Sequence, residues 1–358
     1  MNKVSVGVIG LGEVAQIIHL PILESLSERC EIKALCDLSP RLLRVMGERY
    51  GVDRLYTKTT ELIQQEKLDA VFVLNSDEFH TDSVLAAVES GVHVLVEKPM
   101  CLTLAEADEI IRARDEHGVQ VMVAYMRRFA PAFIRAKEEV EKLGNINYAR
   151  VRDIIGRNEL IIGQSSTVHR FDDLPEEALA ERSRRAKSLV EEAIGEVPED
   201  VATAYRLLCG LSSHDLSAMR ELLGVPNQVT AASQWNGGSY ILATFEYDGY
   251  DVCFETGVDS QRRFDAHIEV YGEEKSLRIQ YDTPYIRHLP TTLVLHETVG
   301  DSYQERIIRP TFKDPYTHEI EYFHEVVTAG ISPKTSPEDF KEDLELFKAI
   351  IESLGHLS

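Results

Sequence analysis

Short apolar runs that end in glycine or an acid alternate with amphipathic stretches through roughly the first third of the chain. Val4 to Ile9 is an apolar run bounded by Gly10 and Gly12, the pattern of a strand buried on both faces of a parallel sheet. Glu13 to Leu26 follows helical spacing, and Pro21 within it kinks or interrupts the helix. A second apolar run, Glu31 to Cys36, closes on Asp37, and Ser39-Pro40 opens a helix with serine as N-cap and proline at the first position. A weak strand is expected near Arg54 to Tyr56 and a clear one at Ala70 to Leu74. A helix over Thr81 to Ser90 stops at Gly91, and a strand over Val92 to Val96 ends in Glu97-Lys98-Pro99. Thr103 and Glu106 form a capping box for a helix to His117, and Val119 to Ala124 is a final strand. This rhythm predicts right-handed βαβ units in a doubly wound parallel sheet.

The rhythm stops near residue 125. A strand over Ile146 to Ile155 leads into a polar, charge-rich insertion, about 156–200, that contains a helical block from Pro175 to Ile194. A helix over Val201 to Leu223 ends at Gly224. Short alternating segments follow, including Tyr240–Tyr247, Asp251–Thr256, Ala266–Tyr271, Ser276–Gln280 and Thr292–Thr298, with turns at Asn236-Gly237-Gly238 and Asp248-Gly249. Helices over Tyr316–Ala329 and Pro337–Leu354 finish the chain. The expected fold is α/β. A Rossmann domain with a parallel sheet spans 1–125, and an α/β domain with a large, mainly antiparallel open sheet spans 126–358.

The 358 residues and 40.4 kDa accommodate those two domains. The net charge of −22 (38 basic against 60 acidic side chains) repels phosphate backbones and anionic lipid, so nucleic acid and membrane surfaces are poor partners. No apolar run of membrane-spanning length occurs, and the N-terminal run reads as a strand entering a turn rather than a signal peptide. Five scattered cysteines without a C-x-x-C pair suit a reduced, cytoplasmic compartment.

Gly10-Leu11-Gly12-Glu13-Val14-Ala15 is a G-x-G-x-x-A turn between a buried strand and a helix. The first glycine permits the turn, the second admits a pyrophosphate to the backbone, and Ala15 lets helix and strand pack closely. The helix N-terminus favours the anion. Asp37, at the end of the second strand, is placed to accept hydrogen bonds from the adenosine ribose hydroxyls and to repel a 2′-phosphate; Leu38 rather than arginine follows it. The cofactor expected is NAD rather than NADP. Lys98 sits at the carboxyl edge of a parallel strand, where such sheets place ligands, and its ammonium can hydrogen-bond a substrate hydroxyl.

The glycine turn, together with Ala87-x-x-x-Gly91-x-His93-Val94-x-x-Glu97-Lys98-Pro99 and Tyr125-Met126-Arg127-Arg128-Phe129-x-Pro131, resembles the glucose–fructose oxidoreductase / inositol dehydrogenase / MocA family. Ser212-Ser213-His214-Asp215-Leu216-Ser217 through Gly224, and Ser336-Pro337-Glu338-Asp339 near the close, are similar to its second-domain helix and C-terminal end. The resemblance implies hydride transfer between a nicotinamide cofactor and a sugar, inositol or sugar-derived carbonyl compound. It implies Lys98 as catalytic or substrate-orienting, His214 as the proton-transfer group, Asn75, Ser76, His80 and Glu97 at the cofactor, and Tyr125 and Arg127 near nicotinamide and substrate. It further implies a homodimer or homotetramer formed through the free face of the second sheet.

One departure stands out. Many members of that family carry a carboxylate four residues before the histidine, orienting the imidazole, whereas here the position is Gly210. Asp215 lies about 100° around the helix from His214. His169 and Asp172 in the insertion are candidate replacements, or simply loop residues. Three functions are compatible with this: an ordinary NAD-dependent dehydrogenase, a sugar-modifying lyase or hydrolase using tightly bound NAD transiently, and a non-enzymatic NAD-binding regulator. Glu321 and His324 share a helix face but lack the spacing of a metal site, and no metal is expected. The run from Glu181 to Lys187 reads as a solvated, salt-bridged face, and Asp282 to His288 as a polar loop that lines a pocket or merely turns.

Overall fold

The computed structural model describes residues 3–355. Its first sheet has six parallel strands in the order β3-β2-β1-β4-β5-β6, where β1 is Val4–Ile9, β2 Cys30–Cys36, β3 Leu55–Tyr56, β4 Ala70–Val73, β5 His93–Glu97 and β6 Val121–Ala124. Every residue of β4 and β6 is buried, as the apolar runs predict for a sheet covered on both faces. The strand order reverses between β1 and β4, and such switch points create the crevice in which α/β sheets bind ligands. Local signals act as expected. The Ser39 hydroxyl caps the helix Pro40–Tyr50 by accepting from the Leu42 N–H, and Thr103 with Glu106 completes the capping box of Leu104–His117. The helix expected over Glu13–Leu26 instead contains a wide turn, Ala15–His19, with Leu20 N–H donating to the Ala15 carbonyl, before its last segment, Leu20–Ser25. Pro21 follows that turn; it has no N–H to donate, and its ring demands displacement of the preceding carbonyls.

The second sheet has eight strands in the order β14-β13-β12-β11-β7-β10-β9-β8. In chain order β7 is Tyr148–Gly156, β8 Gln228–Trp235, β9 Tyr240–Tyr247, β10 Tyr250–Asp259, β11 Phe264–Tyr271, β12 Lys275–Tyr281, β13 Thr292–Val299 and β14 Ser302–Ile308. All neighbours pair antiparallel except β7 with β10. Helices Pro131–Val140 and Ser213–Leu223 pack on one face. The other face carries Tyr148, Arg150 and Arg152 of β7, with Arg150 and Arg152 paired to Glu255 at 2.6 and 2.9 Å.

By internal packing the chain forms two units. The first comprises Met1–Ala124, Ser166–Ala193 and Glu319–Leu344; the second comprises Tyr125–Ser165, Ile194–His318 and Glu345–Ser358. Residues 166–193 and 319–344, which follow the boundary near 125 in the chain, have their partners in the first unit. Phe323 meets the ring of Phe72 on β4 edge-on at 5.6 Å, and Val123 N–H on β6 donates to the Thr335 carbonyl at 2.8 Å.

Within the second unit, Glu139 is buried beneath Lys275, which hydrogen-bonds it, with Lys142 at 3.2 Å. The Lys275 hydrogen bond is the main cause holding the Glu139 carboxyl down at about 2. A depressed carboxyl stabilises the fold fully above its ordinary value and loses that contribution as pH falls through its folded value. Thermal unfolding of wild type and Glu139→Gln is therefore expected to differ by a constant amount above pH ~5 and to converge as pH falls toward ~2. A gap that does not narrow on acidification would contradict this assignment.

Candidate active site

Gly10 has φ +89°, and a Cβ there would stand 2.4 Å from the backbone nitrogen of Asn75, so only glycine fits between β1 and the end of β4. At Gly12 an added Cβ would meet nothing within 4 Å. The turn is tied to β2 by Gly10 N–H donating to the Cys36 carbonyl and by Leu11 N–H donating to the Asp37 carboxylate, both at 2.8 Å. Ser39 N–H donates to the other Asp37 oxygen at 2.9 Å. Burial pushes the Asp37 carboxyl up, and those two N–H groups oppose the shift. Gly12 and Asp37 both border a cavity of about 680 Å³, together with Asn75, Ser76 and Thr59. That volume lies in the range of small-molecule sites. The open space over Gly12, the helix that starts beside it and the acid at the tip of β2 fit a dinucleotide. Gly10, Gly12 and Asp37 would hold it, with Glu13, Val14 and Ala15 opening the helix. Ala15 is fully buried, and the Glu13 carboxylate pairs with Arg170 at 2.5 Å.

Asn75 and Ser76 line the cavity, with Asn75 Nδ2 donating to Ser83 Oγ at 3.1 Å. His80 and Glu97 do not line the cavity. Buried His80 bridges two loops, its Nδ1 at 2.8 Å from the Pro99 carbonyl and its Nε2 at 3.0 Å from the Asn75 carbonyl, and burial pushes its pKa down. Glu97 is buried with Oε1 at 2.8 Å from His19 Nε2. Burial raises its carboxyl, but the His19 hydrogen bond and the neighbouring His19, Lys98 and His80 charges outweigh this and leave it low. These two side chains hold the loop from which half-buried Lys98 projects, at a cis Lys98–Pro99 peptide.

Segment 166–193 holds the candidates His169 and Asp172 and adds groups beyond them. His169 exchanges two hydrogen bonds through its backbone with the Gln16 side chain, at 2.9 and 3.0 Å, and its ring stacks on Phe171. Asp173 accepts from the Ser39 hydroxyl at 2.5 Å and from Arg41 N–H at 2.9 Å. The helix Glu176–Ile194 brings Ala178, Leu179 and Arg182 to the cavity wall. Arg185 makes a bidentate pair with Asp82 at 2.5 and 2.8 Å, and Arg182 lies 3.7 Å from Glu78. The run read as a solvated face therefore docks on the first unit along one side. Its only signal in the sequence is the spacing of Arg182 and Arg185 on one helix face.

In the second unit, His214 is buried in the first turn of Ser213–Leu223, and the fully buried Tyr125 ring meets its imidazole edge-on at 6.4 Å. A wide turn, Leu208–Ser212, precedes it, and a Cβ on Gly210 would meet open space. Arg127 is buried among ring and carboxylate partners. It hydrogen-bonds Asp215, lies 3.2 Å from Asp153 and stacks 4.8 Å from the Tyr281 ring centroid. Burial pushes the Asp215 carboxyl well up, and Arg127 opposes that shift. A cavity of about 30 Å³, room for about one water, lies between Arg127, Tyr281 and the loop of Thr283, Arg287 and His288. Among the described residues no three His, Cys, Asp or Glu side chains gather as a metal site. Among the described residues no helix is long and apolar enough to cross a membrane.

Residues 4–125 match the model of an oxidoreductase family with an NAD-binding Rossmann fold. Over 98% of this chain and 96% of its relative, the sequence is 30% identical to myo-inositol 2-dehydrogenase of Thermotoga maritima. Among solved structures, myo-inositol 2-dehydrogenase from Lactobacillus plantarum is similar at TM-score 0.73 and 21% identity, covering 99% of this chain and 98% of its own. A 3-ketoreductase from Actinomadura kijaniata, in complex with NADP and TDP-benzene, is similar at TM-score 0.74 and 18% identity, covering 98% of both chains.

Proposed function

Because the chain belongs to the glucose–fructose oxidoreductase / inositol dehydrogenase / MocA family of NAD(P)-dependent oxidoreductases, we propose that it uses NAD to interconvert a hydroxyl and a carbonyl on a sugar, inositol or related polyol. The observation that carries this reading is the Asp37 carboxylate fixed beside Gly12 on a cavity of about 680 Å³. The carboxylate suits a ribose bearing free hydroxyls and repels a 2′-phosphate. The relatives' inositol chemistry supports the substrate class.

When bound, the nicotinamide supplies the hydride chemistry. In our reading, the Lys98 ammonium donates a hydrogen bond to the substrate oxygen and stabilises the negative charge that builds there. His214 takes the hydroxyl proton on its imidazole during oxidation and returns it during reduction. Tyr125 packs against that ring, while Arg127 positions it indirectly, because its partner Asp215 is the next residue. The open face of the eight-stranded sheet is the surface proposed to pair copies of the chain as a dimer or tetramer.

Two measurements test this reading. NADH formation with a panel of inositols and aldoses is expected for at least one of them; absence of turnover with every member counts against the substrate class. Gly12→Ala is expected to unfold like wild type, since its methyl meets open space, yet to weaken NADH binding at least ~10-fold by filling the pyrophosphate approach. Unchanged affinity in that variant would remove the glycine turn from the site. The second reading, transient use of a tightly held NAD, is favoured by one observation, that Ala178, Leu179 and Arg182 of segment 166–193 wall the cavity. It is distinguished by product formation without NADH release.

A further inference from the structure

The segment that walls the cavity also occupies the donors that a phosphorylated ribose would need. Asp37, at the tip of β2, is disposed to hold ribose hydroxyls, and a phosphate on the 2′-oxygen would project toward the residues just after it. Those residues offer three donors: the Ser39 hydroxyl, the Arg41 backbone N–H in the first turn of the helix Pro40–Tyr50, and the Arg41 guanidinium. Each is already engaged by a carboxylate of segment 166–193. Asp173 takes the Ser39 hydroxyl at 2.5 Å and the Arg41 N–H at 2.9 Å. Asp172 takes Arg41 Nη1 at 2.9 Å, while the Arg41 guanidinium stacks 4.5 Å from the Phe171 ring centroid.

We propose that Asp173 is a second cofactor-selecting residue, an internal anion that fills the place of a 2′-phosphate and so directs the cavity to NAD. The inference rests on the NAD reading above and extends it to a loop more than a hundred residues away in sequence. The Ser39 hydroxyl and the Arg41 N–H hold the Asp173 carboxyl below its usual range, so it is charged at neutral pH. A 2′-phosphate would face this carboxylate as well as Asp37, and it would find its hydrogen-bond donors taken. Asp172 contributes less, because its pair with Arg41 is exposed. The remaining cations on the cavity wall are committed too: Lys58 lies 2.9 Å from Glu61, and Arg182 lies 3.7 Å from Glu78.

The test is a pair of fluorescence titrations, NADH and NADPH, on the full chain. Wild type is expected to bind NADH more tightly than NADPH. Asp173→Ala frees both donors, and it is expected to lower the ratio of the NADPH to the NADH dissociation constant at least ~10-fold, mainly by tightening NADPH. Asp173→Asn removes the charge and leaves an acceptor for only one of the two donors, and it is expected to show a smaller shift in the same direction. Arg185→Ala loosens the same segment away from these donors and is expected to change both affinities by a similar factor. Equal changes for the two cofactors in Asp173→Ala, or an unchanged ratio, would overturn the proposal and leave the loop a mere cover. Failure of wild type to bind either dinucleotide would instead overturn the cofactor reading itself. Should Asp173→Ala unfold, the Asn variant carries the test, and an unshifted ratio there overturns the proposal.

Discussion

Replacing Lys98 with alanine is expected to lower turnover at least ~100-fold while NADH binding stays close to wild type. A positioned proton-transfer or charge-stabilising group contributes about 100-fold to 10,000-fold. Its loop is held from behind by buried His80 on the Pro99 carbonyl at 2.8 Å and by Glu97 on His19 at 2.8 Å. Removing the side chain is therefore expected to leave the fold and the dinucleotide site intact. His214→Ala is expected to lose turnover to a comparable degree. Single-turnover measurements separate chemistry from release in both variants. Near-normal turnover in Lys98→Ala, with the protein folded, would remove the ammonium from the reaction.

Arg127→Met is expected to destabilise the fold by about 3–5 kcal/mol, the penalty for leaving a buried charge without its partner. Arg127 is 3% exposed and stands between Asp215 and Asp153, both fully buried. Its removal strands two carboxyls in an apolar interior, where at least one must take up a proton. Asp215 also follows His214 directly, so the loss is expected to loosen the helix that carries His214 and to reduce turnover alongside stability. Adding Asp215→Asn to Arg127→Met removes one stranded charge and is expected to recover part of the loss. A urea titration showing less than ~1 kcal/mol for Arg127→Met would mean the carboxyls reach solvent or another cation.

The parts of the site that sequence made legible are those encoded by neighbours in the chain. The glycine turn declares itself because strand, turn and helix are contiguous, and Asp37 because it ends the next strand; both lie on the cavity. The Ser39 cap and the Thr103–Glu106 box are local hydrogen bonds with local signatures. What escaped depends on partners far apart. Nothing in Arg127's own segment reveals its partners Asp215 and Asp153. Nothing near Asp173 in the chain marks it, because its partner Ser39 is 134 positions away. The wide turns at Ala15–His19 and Leu208–Ser212 have no periodicity of their own, and only Pro21 hints at the first. The docking of Glu176–Ile194 reflects pairs such as Arg185 with Asp82, which a charge pattern cannot tell from a solvated face.

The central claim is that the cavity beside Gly12 and Asp37 holds NAD. The most direct measurement is titration of the purified chain with NADH, read by nicotinamide fluorescence, with Asp37→Ala alongside. Saturable, equimolar binding that weakens at least ~10-fold in Asp37→Ala is the expected result. Absence of binding in wild type, or affinity indifferent to Asp37, would contradict it.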